Sequence, residues 1–463
     1  MTVARPILRG FHPDPSWCEV DGVVYLVTST FNWVPGLPIY CSRDLASWEF
    51  LAHAAPSAAD FRLDEAQDSG GLYAPTLRYV GGRFVIVCTS VLPDGSWDLD
   101  DDEACSGSFV ITAESAEGPW SAPRWVQGAG GIDPDIYEDR DGTLWWTGTR
   151  LASDPLWEQQ TEIWTRPFDL ETARFVGPER VIWHGALEGA VWSEGPHIFW
   201  RDGWYYLLTA EGGTASNHAA TVARARSIDG PWQGCPRNPV LTHRHLGREY
   251  PVQNVGHADL LRRGDEWWAA VLGVRSLEGH HLLGRETFLC PVTWEDGWPV
   301  CARGEGKLPC DHHEPEAPSW RRIGDIDADI ISPAGPQWEG QSFSGVRVSS
   351  LRYGMDSDGD DVVGSLRIVS NARHWAGIGR GESGWTIETC RAGEIHRDTV
   401  KWAGGRPYLL LDGLTLRIGC GGEYIEMDAR WLSTESVGGF TGCVMGLWNS
   451  PHPLADADVR IYC

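Results

Sequence analysis

Apolar positions in this chain fall in short runs of Val, Ile, Trp and Tyr, each closed by Gly, Asp or Pro. No window sustains the three-to-four-residue period of an amphipathic helix. The pattern predicts an all-β protein. One unit recurs five times: a glycine turn followed by an aromatic and β-branched run. The turns are Asp21-Gly22, Gly81-Gly82, Asp141-Gly142, Asp202-Gly203 and Gly264-Asp265, about 60 residues apart. Each turn would join the first two strands of a four-stranded blade, and Trp48, Trp120 and Trp232 mark the later part of three repeats. The expectation is a five-bladed β-propeller over residues 1–312. The plainer alternative is a coincidental run of hairpins.

Alternating strand patterns return at 362–369, 408–418, 443–448 and 458–462, separated by turns such as Asp412-Gly413 and Gly421-Gly422. They predict a C-terminal β-sandwich over residues 319–463. Residues 310–318 between the two are polar and proline-rich, as a linker would be. Cys310, Asp311, His312 and His313 imitate a metal cluster. Adjacent residues in a flexible linker rarely wrap one ion and no partner pair follows, so no metal ligands are assigned.

The phase of the repeat points to chemistry. Seven to nine residues before each turn lies the start of the innermost strand, and the residues there are Asp14, Ala74, Asp133, Glu194 and His257. Carboxylates are depleted in strands and costly to bury unless paired or used. One would pass as a strand-end cap, but three at matched positions predict a site. Asp135, two residues beyond Asp133, would share its strand face and competes with it for the role. Hydrolysis of a glycosidic bond with inversion needs a carboxylate base on water and a carboxylic acid on the leaving oxygen, roughly 6.5–9.5 Å apart across a sugar. Asp14 is stiffened by Pro13 and Pro15, as suits a base. Glu194 has the longer reach of an acid, with Trp192 nearby to exclude water, and Asp133 would raise the acid's pKa by its charge.

Composition narrows the partners. A formal net charge of −26 leaves no basic patch for nucleic acid or an anionic membrane, and no apolar run spans a bilayer. The 26 Trp residues offer flat faces suited to sugar rings, about a quarter of them expected to touch ligand. Twelve scattered cysteines without a C-x-x-C pair read as buried reduced thiols. Residues 1–20 show no secretory pattern, so the localisation expected is cytoplasmic.

The run Gly10-Phe11-His12-Pro13-Asp14-Pro15-Ser16 begins a series of linked motifs. Ser29 to Gly36, Gly70 to Pro75, Gly131-Ile132-Asp133, Glu194-Gly195-Pro196-His197 and Thr209 to Thr214 continue it. Gly256-His257-Ala258 and Leu283 to Thr287 close it. Together they resemble glycoside hydrolase family 43, near its β-xylosidase and α-L-arabinofuranosidase branch. The resemblance implies Asp14 as general base, Asp133 as pKa modulator and Glu194 as general acid. It also implies a sugar pocket lined by Phe31, Trp33, Tyr73, Ala74, Thr214, His257 and Arg285, with Phe440 reaching in from the sandwich. The activity implied is exo-acting, inverting release of terminal xylose or arabinofuranose from oligosaccharides. No cofactor is required, a structural calcium ion near the propeller axis is left open, and so is homo-oligomerisation. The alternatives are an arabinanase, a retaining enzyme on a related propeller and a non-catalytic sugar-binding propeller. The chain departs from the pattern at Tyr73, where Trp is common, and at Cys41, where His is usual. The sandwich is shorter than expected, and an acidic loop at 98–103 looks like an insertion, read as solvated rather than calcium-binding.

Overall fold

A computed structural model describes residues 6–93, 107–308, 319–326, 328–358, 364–402, 404–450 and 452–463. The acidic loop at 98–103 and the linker at 310–318, with its Cys310–His313 cluster, lie outside the described residues. The chain is all-β, and the one α-helical turn among the described residues is Thr434–Val437.

Five antiparallel sheets follow one another along the chain. Their first strands are Ser16–Val20, Gly71–Val80, Ile132–Glu138, Glu194–Arg201 and Val252–Arg263. Each continues antiparallel to a second and a third strand, and in the second to fifth sheets an outermost strand of two to four residues ends the sheet. The third sheet has a fifth strand, because Arg174–Phe175 and Arg180–Trp183 both pair with Thr161–Asp169. The five first strands touch in sequence, and the fifth touches the first, so they close a ring.

The repeated turns are where the glycines predict. Val20 pairs Val23, Val80 pairs Arg83, Arg201 pairs Trp204 and Arg263 pairs Glu266, so four hairpins have two-residue loops. Asp21-Gly22, Gly81-Gly82 and Asp202-Gly203 have positive φ at both residues, the geometry that matches strand twist and favours Gly and Asp. The third hairpin is longer, with Glu138 paired to Leu144.

Beyond the ring, two six-stranded antiparallel sheets share one apolar core. One runs in the order Phe343–Arg347, Val444–Trp448, Ser365–Asn371, His374–Gly381, Gly384–Arg391, Glu394–Val400. The other runs Trp320–Arg322, Val459–Tyr462, Arg352–Ser357, Pro407–Asp412, Thr415–Cys420, Glu423–Asp428. Pro407–Asp412 alternates buried and half-buried positions, as a strand with one face on a core must. Leu366, Ile368 and Met445 of one sheet meet Met355, Leu409 and Ile418 of the other, and Leu282 and Leu283 join them from the ring.

A second contact ties the two parts together. Trp33–Val34 pairs with Ser332–Pro333, and Trp33 packs among Phe11, Trp338 and Phe343. None of the ten described cysteines forms a disulfide, and eight are buried.

Candidate active site

The first strands begin with a shared irregularity. Opposite a single partner residue lie Ala74-Pro75, Asp133-Pro134 and Gly195-Pro196, each a β-bulge that bends the strand and re-aims a side chain. Asp14-Pro15 occupies the same place, between Pro13, whose carbonyl accepts from Ser29 N–H, and Ser16, paired with Val27. The fifth strand has two such irregularities, Asn254-Val255 opposite one residue and then His257 as an unmatched extra residue. Asp14, Ala74, Asp133, Gly195 and His257 all have positive φ, from +36° to +55°.

This alignment corrects one expectation. The residue matched to Asp14 and Asp133 in the fourth strand is Gly195, and Glu194 stands one place earlier, matched to Pro13, Tyr73 and Ile132. The reason is steric: a Cβ on Gly195 would lie 2.8 Å from the His257 ring, so the acid cannot come from that position. Two hydroxyls, Thr149 Oγ1 at 2.6 Å and Thr161 Oγ1 at 2.8 Å, donate to Ser193 O and pin the peptide that presents Glu194.

The three carboxyl groups line one cavity of about 310 Å³, together with Phe31, Tyr73, Ala74, Thr214, His257, Arg285 and Phe440. Val91, Ile132, Trp192 and Gly213 complete the wall. Trp33 does not reach it. At 2% exposed, Trp33 is a packing residue between ring and second unit. Phe31, two residues earlier, has φ +54° and bridges to Leu72 of the second sheet, and its ring does line the cavity. The tryptophan expectation fails likewise: among the described residues only Trp192 lines the cavity.

Asp14 is held as an anion. Ser29 Oγ donates to Asp14 Oδ2 at 2.7 Å while accepting from Ala74 N–H at 2.7 Å. Arg285 Nη1 donates to Asp14 Oδ1 at 3.4 Å. Burial alone would raise this carboxyl, but Arg285, then His257 and the Ser29 hydrogen bond outweigh it and keep it below the usual carboxylate value. His257 approaches Asp14 at 3.6 Å, and burial pushes the ring down to about 4, so it meets the anion as a neutral imidazole at neutral pH.

Asp133 and Glu194 respond in the opposite sense. Burial and then the Asp14 charge raise Asp133 to about 7, despite the Gly195 N–H that donates to its Oδ2 at 2.9 Å. Burial, then Asp133 and Asp14, hold Glu194 well above the ordinary glutamate value. The two titrate as a pair, so a proton is retained on the Asp133–Glu194 side while Asp14 is ionised. One cavity thus offers a base and an acid at the same pH.

Two residues further along the same strands lies a second layer. Arg78 Nη1 donates to Asp259 Oδ2 at 2.7 Å and to Ser16 Oγ at 3.0 Å, and Nη2 donates to Asp135 Oδ1 at 2.9 Å. His197 Nδ1 lies 3.1 Å from Nη2. Asp135 is therefore a partner of Arg78, and also accepts from Ile198 N–H at 2.9 Å, rather than a rival of Asp133. Arg78 and Asp259 were not singled out from the sequence; Asp259, two residues after His257 as Asp135 is after Asp133, was the available signal, while Arg78 stands four after Ala74 and reaches back with its long side chain.

A calcium ion near the ring axis would need donors from this layer. Calcium takes six to eight oxygen ligands. The two carboxylates facing this part of the ring are already taken by the Arg78 guanidinium, and among the described residues no group of three or more His, Cys, Asp or Glu is placed to hold a metal. These two carboxylates are therefore not free to ligate calcium, and no step below uses one.

Phe440 enters the cavity from the second unit. Its ring stacks on Phe31 at 5.7 Å and meets Tyr73 edge-on at 5.7 Å, and the Arg285 guanidinium lies 5.0 Å from its centroid.

Comparison with known proteins accords with this geometry. Residues 3–299 match the model for glycosyl hydrolases family 43. A xylosidase/arabinosidase of Butyrivibrio fibrisolvens is 42% identical over 326 residues, 69% of this chain and 60% of that protein. The non-reducing end alpha-L-arabinofuranosidase BoGH43B of Bacteroides ovatus is 41% identical over 302 residues, 64% of this chain and 53% of that one. These alignments span between half and two thirds of the relatives' length. Among solved structures, Bacteroides ovatus xyloglucan PUL GH43B superposes with a TM-score of 0.80 at 28% identity, covering 100% of this chain and 98% of that one. A xylan beta-1,4-xylosidase from Bacillus halodurans C-125 gives 0.80 at 27% identity, covering 99% and 98%. With its inner-strand carboxylates and the match over 3–299, this chain belongs to glycosyl hydrolases family 43.

Proposed function

We propose that this chain is an exo-acting, inverting glycoside hydrolase that releases a terminal pentose, xylose or arabinofuranose, from short saccharides. In this reading Asp14 takes a proton from water as the water attacks the anomeric carbon. Glu194 gives its proton to the leaving oxygen, and Asp133 keeps Glu194 protonated until then. Arg285 and His257 orient sugar hydroxyls and hold Asp14 in place. The observation that carries the reading is one cavity in which Asp14 is stabilised as an anion while Asp133 and Glu194 are driven toward the protonated form.

The architecture belongs to the same reading. The five ring sheets are the blades of a propeller over residues 1–312, and the two six-stranded sheets are a sandwich over 319–463. Phe440, brought by the second unit, restricts one side of the cavity, which favours a chain end over an internal bond. The names of the two sequence relatives cover both xylosidase and arabinofuranosidase action, and the chain is assigned to that pair of pentoses.

A panel of p-nitrophenyl glycosides with wild type and Asp14→Asn tests class, sugar and base together. Turnover of the xyloside or arabinofuranoside, abolished by Asp14→Asn, is the expected result. Internal cleavage of arabinan without either activity would reverse the exo assignment. Proton NMR of the first-formed anomer should show inversion, and early appearance of the retained anomer would exclude this mechanism.

A further inference from the structure

Phe440 poses a physical problem. It follows Gly438 and Gly439, both at positive φ (+75° and +79°), the most permissive backbone available. The four-residue helix before them is too short to fix where an aromatic ring should point. Yet the ring is seated between Phe31, Tyr73 and Arg285. Something outside residues 438–440 must hold the segment.

One anchor is on the cavity side, where Phe440 N–H donates to Ser69 Oγ at 3.0 Å. The other lies behind it. Residues 276–285 connect two strands of the fifth sheet and end at Arg285. Along this connection His281 Nδ1 lies 2.5 Å from Glu435 Oε1, and His281 N–H donates to Glu435 Oε2 at 3.0 Å. Both oxygens of one carboxylate are thus taken by one residue of the ring. Thr434 N–H donates to His281 O, His280 Nδ1 lies 2.9 Å from Ser433 Oγ, and Cys443 N–H donates to Leu282 O at 2.8 Å. Gly284 and Gly442 are so close that a Cβ on Gly284 would meet Gly442 N at 2.7 Å. The segment that delivers Arg285 and the segment that delivers Phe440 are zipped together. His281 and Glu435 form the one side-chain bond of this zipper that uses a carboxylate and is doubled by the backbone.

We infer that the His281–Glu435 pair is a positioning clamp that seats Phe440 against Arg285, so that the sugar-binding face of the cavity is assembled jointly by the ring and the second unit. The inference rests on the glycosidase reading. Neither residue lines the cavity, so the clamp acts through Phe440 and Arg285 on substrate binding rather than on proton transfer.

Glu435→Ala should raise KM for the aryl pentoside about tenfold with kcat within about twofold, the split expected when uniform binding is lost. Glu435→Gln, which keeps one acceptor for His281, should recover most of the affinity. Phe440→Ala should raise KM to a similar extent, and adding Glu435→Ala to it should change little, because both act through one ring. Ser433→Ala removes the neighbouring His280 bond and should leave KM unchanged. Multiplying effects of Glu435→Ala and Phe440→Ala, a fall in kcat alone, unchanged kinetics, or an equal effect of Ser433→Ala would each overturn the clamp. Thermal unfolding of Glu435→Ala close to wild type separates positioning from collapse. If the variant is destabilised, Glu435→Gln and Phe440→Ala carry the comparison. Should wild type turn over no glycoside, the glycosidase reading fails by itself. The clamp is then tested by titrating D-xylose in isothermal titration calorimetry, where about tenfold weaker binding by Glu435→Ala supports it and equal binding refutes it.

Discussion

The same five strands carry two charged layers with opposite behaviour. At the cavity, Asp14, Asp133 and Glu194 crowd together with one cation, Arg285, placed on the Asp14 side. Two residues along, Asp135 and Asp259 face a single guanidinium, that of Arg78, which bonds both. Burial penalises every one of these carboxylates, but the placement of the cation decides the result. Below, Arg78 outweighs burial and holds Asp259 under the usual carboxylate value. Above, Arg285 does this for Asp14 alone, and the other two acids are left to burial and mutual repulsion. Paired charges tie strands together, whereas unequally paired ones become an acid and a base.

The largest test of the contrast is on the upper layer. Asp14→Asn should cost about ten-thousand-fold in kcat/KM at neutral pH, measured on an aryl pentoside. Glu194→Gln should approach that loss on a natural oligosaccharide, and lose much less on p-nitrophenyl substrate, whose leaving group needs no proton.

On the lower layer the cost should appear as stability. Arg78→Met leaves Asp135 and Asp259 buried without their cation and should destabilise the fold by about 3–5 kcal/mol in denaturant unfolding. Adding Asp259→Asn should recover part of that loss.

Asp133→Asn should do the reverse of Arg78→Met. Its activity falls about a hundredfold, and the alkaline limb of kcat/KM moves to lower pH, since Glu194 loses a repelling neighbour. Stability rises. Asp133 has a folded value raised from 3.8 to about 7, so the stability its protonated form contributes is complete below about pH 4 and is lost as pH climbs through about 7. The melting temperature of Asp133→Asn should therefore exceed wild type at pH 8 and match it near pH 4.

The smallest effect belongs to Ser29→Ala. Removing one hydrogen bond to the Asp14 anion should move the acidic limb of kcat/KM upward by about one pH unit or less. An unchanged limb would mean that Arg285 and His257 alone hold Asp14 ionised.

Much of this was legible in the residues, because the information is local. Turn glycines at a 60-residue spacing announce hairpins, and three of the five turns adopt positive φ at both residues as their composition demands. Asp14 and Asp133 could be found by counting back from those turns, since side-chain direction in a strand follows register. Glu194 was found by the same count but in the wrong register: it stands eight residues before its turn, as Asp133 does, yet the third hairpin has a longer loop, so eight back from Asp141 and eight back from Asp202 are different strand positions. Trp33 was misassigned for a different reason: it shares the Ser29–Gly36 motif with Phe31, but its ring is taken by Trp338 and Phe343 of the second unit, a contact that the motif does not display.

What the sequence determined by itself is therefore the strand content, the turns and the presence of matched acids, all properties of neighbours along the chain. Tertiary structure alone decided which acid keeps a proton, that Arg78 joins Asp135 to Asp259, and that Phe440 reaches Arg285. Those outcomes depend on distances between residues as many as 271 positions apart, and electrostatic energy follows distance and burial in space, which no separation along a chain encodes.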